Sequence, residues 1–349
     1  MIMTNQRSAV ALISGGLDSM LAAKLMMQQN IHVEGINFFT GFCVEGHTHA
    51  IRKKDKQKTK RNNALWVAET LGIKLHIIDV VDEYKDVVIN PKHGYGSNMN
   101  PCLDCKGFMV GKAQQWATEN NFDFIITGEV IGQRPMSQRK DTMPVIARES
   151  GAFDRLVRPL CGRHLPATLP EQQGWIDRNL LKGFSGRSRK PQMALAAEMG
   201  FVDYAQPAGG CCFLTDKTYS DRLVDLWQAR NQRNYELDDV MLLKVGRHLR
   251  PQPNFKMIVG REEGENNFLE GYRRQFIHMR TLNCSGPLVL LDGELTPSDI
   301  ELAAQITARF SQGKSLDNVD VEVISKDGVG RILHVRPLSE NQIPQDWYL

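Results

Sequence analysis

The stretch AVALISGGLDSMLAAKL, residues 9–25, constrains the fold more than any other part of the chain. Residues 9–13 form a short apolar run of buried-strand length. Two glycines and an aspartate follow, and then Leu17, Leu21, Ala22, Leu25 and Met26 fall on one helical face. A glycine-rich turn between strand and helix leaves the first helical N–H groups without partners, at the positive end of the helix dipole. Ser14-Gly15-Gly16-Leu17-Asp18-Ser19 therefore has the form of an anion site. It matches neither the Walker pattern G-x-x-x-x-G-K-[ST] nor the dinucleotide pattern G-x-G-x-x-G, so the phosphate-binding lysine is missing. What remains is a pair of hydroxyls, Ser14 and Ser19, with glycines that admit an oxyanion close to the backbone. Such a cradle suits pyrophosphate held as a leaving group.

The alternation continues beyond this unit. His32–Phe39 reads as a second strand, and Ala64, Leu65, Ala68 and Leu71 form a helical stripe that Gly72 ends. Residues 75–80 return as a strand, residues 104–120 as a helix and residues 122–127 as another strand. Strands separated by helices imply an α/β architecture, a doubly wound parallel sheet covered on both faces. From about Pro166 the rhythm changes to two helices, over residues 170–181 and 190–199, followed by the turn-rich PAGGCCFLTD. After about Arg222 come shorter strand-like pieces at 256–259, 288–291, 319–324 and 331–335, with a helix over 297–310. The expected organisation is an α/β domain over 1–165, a helical connecting segment with a cysteine turn over 166–221, and a smaller α+β domain over 222–349.

Composition limits the function classes. With 349 residues, 42% hydrophobic and 24% charged, the chain has the make-up of a soluble globular protein of two or three domains. No apolar run approaches the roughly 20 residues of a membrane helix, and no secretory signal opens the chain, so a cytoplasmic location without membrane contact is expected. In that compartment seven cysteines point to reduced, metal-bound or catalytic thiols rather than a disulfide framework. Net charge is only +3, yet RKKDKQKTKR, Arg52 to Arg61, carries seven Lys or Arg against one Asp. Between Arg139 and Lys190 eleven Lys or Arg face five Asp or Glu. A single charge run is most simply a solvated helix face. Two basic patches in a nearly neutral chain point to a polyanion, because arrayed cations release counterions from nucleic-acid phosphates.

The cysteines carry the second chemical signal. NMNPCLDCKGFMVGK puts Cys102 and Cys105 in a C-x-x-C at a helix start, where the dipole favours thiolate. PAGGCCFLTD adds Cys211 and Cys212 in a tight glycine turn. Four thiols suffice for a tetrahedral zinc, although adjacent ligands are awkward for one metal. Cys43, Cys161 and Cys284 are isolated and read as packing residues.

SGGLDS resembles the S-G-G-x-D-S signature of the PP-loop ATP pyrophosphatases, over about residues 8–165. That resemblance implies ATP cleaved between its α and β phosphates, AMP transferred to a substrate oxygen, and pyrophosphate released. It places ATP and Mg2+ at Ser14, Gly15, Gly16, Leu17, Asp18 and Ser19, with adenine near Gly128 in the loop Thr127-Gly128-Glu129. Asn100-Pro101-Cys102-Leu103-Asp104-Cys105 is similar to the N-P-[D or C]-x-x-C-N segment of tRNA 2-thiouridylases, and Cys212-Phe213-Leu214 to their second cysteine turn. Lys106 departs from the usual asparagine.

The tRNA thiouridine synthetase resemblance implies a sulfurtransferase that adenylylates a uridine carbonyl oxygen and lets sulfur displace it as AMP. Catalytic roles fall on Cys102, Cys105, Cys212 and Asp18. Members with cysteine at the Cys102 position are associated with iron–sulfur chemistry. That implies a 4Fe-4S cluster on Cys102, Cys105 and Cys212, with Cys211 as the alternative ligand and one iron open to sulfide. The other route is a persulfide on Cys212 that Cys105 resolves. The sulfur donor would be free sulfide, a sulfur-carrier protein or a cysteine desulfurase. The tRNA partner would meet Arg52, Lys53, Lys54, Lys56, Arg134, Arg187, Arg189 and Lys190, of which Arg134 equally suits a phosphate of ATP. Gln133 and Gln138 read as base or sugar contacts. VGRHLR, IVGREEGEN and DVEVISKDGVGRILHVRP resemble a domain fused to PP-loop proteins and related to an RNA-binding module, and a role in homodimer formation would serve equally. Two alternatives stand beside this reading: an ATP-dependent ligase or thiolase of a small molecule with structural zinc, and a noncatalytic RNA- or nucleotide-binding protein.

Overall fold

The computed structural model describes residues 6–44, 61–205 and 211–349. These fall into two compact units, the first ending at Cys211 and the second running from Cys212 to Leu349.

In the first unit β1 (Ser8–Leu12) leads through the glycine turn into α1 (Leu17–Met27), then β2 (His32–Phe39), α2 (Asn63–Leu71) and β3 (Leu75–Asp79). The chain continues through α3 (Lys85–Ile89), α4 (Cys102–Glu119), β4 (Phe124–Ile126), α5 (Thr142–Glu149), β5 (Leu156–Val157), α6 (Leu169–Gln172) and α7 (Lys190–Glu198). The five strands pair in parallel in the order β3-β2-β1-β4-β5. Strand side chains alternate between faces, and β1 shows the consequence. Ala9 and Ala11 join one core with α1, α2 and α7, whereas Val10 joins a second with α4 and α5. Burial on both faces is why β1 has no polar residue between its apolar ones. Because β1 adjoins β4, the sheet changes winding direction there, and the carboxyl ends of these two strands open a crevice of the kind that holds ligands in α/β sheets.

Local signals set the element ends. Asn62 caps α2 by accepting from the amides of Ala64 and Leu65, and Gly72, at φ +67°, closes it. Within that helix Leu65 is half exposed and Val67 is buried, so the stripe is rotated from the one read in the sequence. The single helix expected over 170–181 is two short pieces, α6 and a 3-10 turn at Arg178–Leu180. Gly174 takes φ +67°, and the amides of Trp175 and Ile176 both turn back to the Pro170 carbonyl. Burial of Ile176 and packing of Trp175 against the core explain why the chain leaves the helix there.

The second unit opens with α8 (Lys217–Arg230) and α9 (Leu237–Leu242). Then come β6 (Arg247–Gln252), β7 (Phe255–Val259), α10 (Glu263–Glu270), β8 (Ile277–Thr281), β9 (Val289–Gly293), α11 (Pro297–Arg309), β10 (Val319–Ile324) and β11 (Gly330–Val335). The expected boundary between 221 and 222 lies inside α8, because composition changes there while the helix continues. The strands form an antiparallel sheet ordered β11-β10-β8-β9-β7-β6. Met257 and Val259 of β7 face the core shared with α11, and Ile258 faces the opposite side with Leu242 and Leu269. No described helix is long and apolar enough to cross a membrane.

Candidate functional site

The turn after β1 is built to stay open. Gly15 adopts φ +79°, a conformation that glycine reaches without strain. Gly16 is the N-cap of α1, and no side chain caps the helix there. Met20 N is bonded back to Gly16 O at 3.3 Å, and the first amides of a helix have no partner within the helix itself. Ser19 is buried and donates its hydroxyl to Gly16 O at 2.8 Å, so Ser14 presents the exposed hydroxyl of the pair. An isolated parallel bridge joins Gly16 to Ala205.

The loop after β4 closes onto the same turn. A Cβ on Gly128 would lie 2.4 Å from Asp18 C, 2.5 Å from Asp18 O and 2.5 Å from Ser19 N, so only glycine fits this approach. Two residues of side chain then build a relay. Gln192, wholly buried in α7, donates to Gln133 at 3.0 Å, and Gln133 donates to Asp18 Oδ2 at 2.7 Å. Asp18 Oδ1 is buried and has no hydrogen-bond partner among the described residues. Burial pushes the Asp18 carboxyl above its ordinary range, against the Gln133 hydrogen bond and the charges of Arg189 and Arg134, which pull it down.

Beside the relay, Glu129 and Arg158 form a buried ion pair at 3.0 Å, and Thr127 donates to the same carboxylate oxygen at 2.8 Å. Burial opposes ionisation of Glu129, but Arg158, Lys106 and Thr127 outweigh it and hold the carboxyl below its usual range. Lys106, the departure from the resembling segment, is thus a cation acting on a buried carboxylate. A second isolated bridge, Ile131 with Ser185, and the bond from Gly186 N to Ile131 O at 2.7 Å carry the 183–192 segment along the β4 loop.

Cys102 begins α4, and its thiol donates to Ser137 Oγ at 3.4 Å, tying the C-x-x-C to the 133–138 loop. The thiolate expected at Cys105 from the helix dipole is overturned. Burial pushes that thiol up to about 12, and the electrostatic influence of Cys211, Cys102 and Cys43 adds to it against a hydrogen bond from Tyr84. Cys43, read as a packing residue, therefore lies in the electrostatic neighbourhood of the C-x-x-C. Cys211 is exposed and its carbonyl accepts from Val44 N at 3.4 Å. Cys212 opens the second unit. No group of three or more His, Cys, Asp or Glu among the described residues is placed to hold a metal ion.

Of the expected nucleic-acid contacts, Arg52, Lys53, Lys54 and Lys56 lie outside the described residues. Arg134, Arg187 and Lys190 are exposed, while Arg189 is partly buried and its charge acts on Asp18. Sequence reasoning missed Gln192 and the Glu129–Arg158 pair. A glutamine inside RKPQ carries no local sign of its role, which depends on contact with a residue 59 positions away.

The parallel sheet and its open turn make the first unit a doubly wound α/β domain. Residues 7–147 match the family model described as the tRNA methyl transferase HUP domain, and residues 246–348 match the NFACT protein RNA binding domain. Among similar proteins, the tRNA-specific 2-thiouridylase MnmA of Campylobacter curvus is 30% identical over 123 residues, 34% of this chain and 33% of that protein. The MnmA of Marinobacter nauticus is 25% identical over 244 residues, 68% of this chain and 57% of that protein. The probable tRNA sulfurtransferase of Thermococcus kodakarensis is 29% identical over 157 residues, 45% of this chain and 38% of that protein. The chain thus spans between 33% and 57% of the length of these relatives.

Proposed function

We propose that the protein is an ATP-dependent tRNA sulfurtransferase that makes thiouridine. The observation that carries this reading is the uncapped turn after β1, with its buried and half-satisfied Asp18, tied through the 133–138 loop to Cys102 at the start of α4. The family similarity of residues 7–147 supports ATP as the activating substrate, and that of residues 246–348 supports RNA as the partner.

The amides after Gly16 would receive the phosphates, and Gly128 brings the β4 loop close enough to border the adenosine. Mg2+ accompanying ATP fits the open Asp18 Oδ1, where it would neutralise phosphate charge. A uridine carbonyl oxygen attacks the α phosphorus, the bond to the β-phosphate bridging oxygen breaks, and pyrophosphate leaves. A carbonyl oxygen cannot depart as oxide, but it departs as AMP once adenylylated. Sulfur attacks the carbon and the C–O bond breaks.

For the sulfur step the reading rests on thiols, Cys102, Cys105 and Cys212. A persulfide on one cysteine, its outer sulfur passed from the persulfide of a cysteine desulfurase or a sulfur-carrier protein whose own thiol leaves, attacks the activated carbon. A second cysteine then cleaves the S–S bond, which releases the thiocarbonyl and leaves a disulfide for an external thiol to reduce. The described residues do not form a ready ligand set for a 4Fe-4S cluster or zinc.

The test compares wild type with Cys212→Ala. The variant should still release pyrophosphate in a tRNA-dependent manner yet transfer no sulfur. Full thiolation by Cys212→Ala would refute the sulfur assignment, and iron with acid-labile sulfide in protein purified without oxygen would replace the persulfide route by a cluster.

A further inference from the structure

The loop signature lacks a phosphate-binding lysine, so the charge that leaves with pyrophosphate needs another cation. Five buried polar atoms in this part of the first unit have no partner among the described residues: Asp18 Oδ1, Glu129 Oε1, Gln138 Oε1, Arg189 Nε and Gln192 Oε1. Buried polar atoms are nearly always satisfied, so such a group of exceptions marks a place where something else binds. Hydrogen bonds bring the walls together. Gln192 of α7 reaches Gln133 at 3.0 Å, Gln133 reaches Asp18 at 2.7 Å, and the Ile131–Ser185 bridge aligns the strand of chain that ends at Arg189.

Arg189 is the N-cap of α7, makes no side-chain cap bond and puts a cation at the positive end of the dipole. That placement costs stability unless an anion sits there. Its neighbours Arg187 and Lys190 point to solvent, whereas Arg189 is partly buried with its Nε sealed from water. A residue serving only an RNA surface has no reason to bury that atom.

We propose that Arg189 binds the β and γ phosphates of the nucleotide, taking the place of the missing loop lysine, and that α7 is a wall of the nucleotide pocket rather than part of the RNA surface. This rests on the adenine-nucleotide reading above. The guanidinium pairs with two phosphate oxygens as a planar fork and stays charged as pyrophosphate departs.

Equilibrium binding of ATP and of AMP to the full chain, with Mg2+ present, tests it in wild type, Arg189→Gln, Arg189→Lys and Arg187→Gln. Arg189→Gln should weaken ATP by about 10- to 100-fold and AMP by less than about threefold. Arg189→Lys should recover part of the ATP affinity, and Arg187→Gln should leave both ligands at wild-type affinity. Equal losses for ATP and AMP, or no loss for ATP, overturn the assignment while leaving the nucleotide reading intact. Wild-type protein that binds neither nucleotide overturns both. Loss of tRNA binding by Arg189→Gln with ATP affinity unchanged returns the residue to the RNA surface.

Discussion

Gly128→Ala is the sharpest single perturbation of this site. The added Cβ would meet Asp18 C at 2.4 Å, Asp18 O at 2.5 Å and Ser19 N at 2.5 Å, against ordinary contacts of 3.4 Å or more. The overlap is about 1 Å, and all three atoms are backbone, so no rotamer change relieves it. The first turn of α1 cannot retreat easily, because Leu17, Met20 and Leu21 are fully buried behind it. Strain of about 3 kcal/mol follows, the upper part of the usual overpacking range. For a unit of this size that lowers the unfolding midpoint by about 6–12 °C. The displaced amides should also weaken ATP at least about tenfold at temperatures where the variant is folded. Thermal unfolding with nucleotide binding at about 20 °C measures both. A variant that melts within about 2 °C of wild type and binds ATP equally well would refute the close-approach argument.

Three further outcomes test other parts of the molecule. Arg158→Ala should cost about 3–5 kcal/mol by stranding the buried Glu129 carboxylate, and the double variant Glu129→Gln, Arg158→Met should recover most of it in urea unfolding. Burial pushes the Cys161 thiol from 9.0 up to about 12. The folded state therefore holds that proton more tightly than the unfolded one, so stability is complete below about pH 9 and falls as pH rises toward 12. Unfolding free energy measured from neutral to alkaline pH should decline less steeply in Cys161→Ala, and an identical slope would count against the burial argument. In the second unit Thr296 closes a capping box with Asp299 at the start of α11, so Thr296→Ala should lose about 1 kcal/mol, read from the denaturation midpoint.

The residue sequence alone determined the strand, open turn and helix at the start of the chain, because apolar runs and glycines act within a few positions of themselves. It likewise placed β2 at His32–Phe39 and β10 at Val319–Ile324. The chemistry of the turn was legible for the same reason: its anion-binding amides follow from the helix end itself. Tertiary structure decided what surrounds that turn. Gln192 meets Gln133 and Arg189 turns inward because α7 packs on α1, and neither event leaves a local trace in RKPQ. Cys105 shows the same division. Its place at the start of α4 could be read from spacing and suggested a thiolate, but burial, which depends on the whole fold, holds the proton in place.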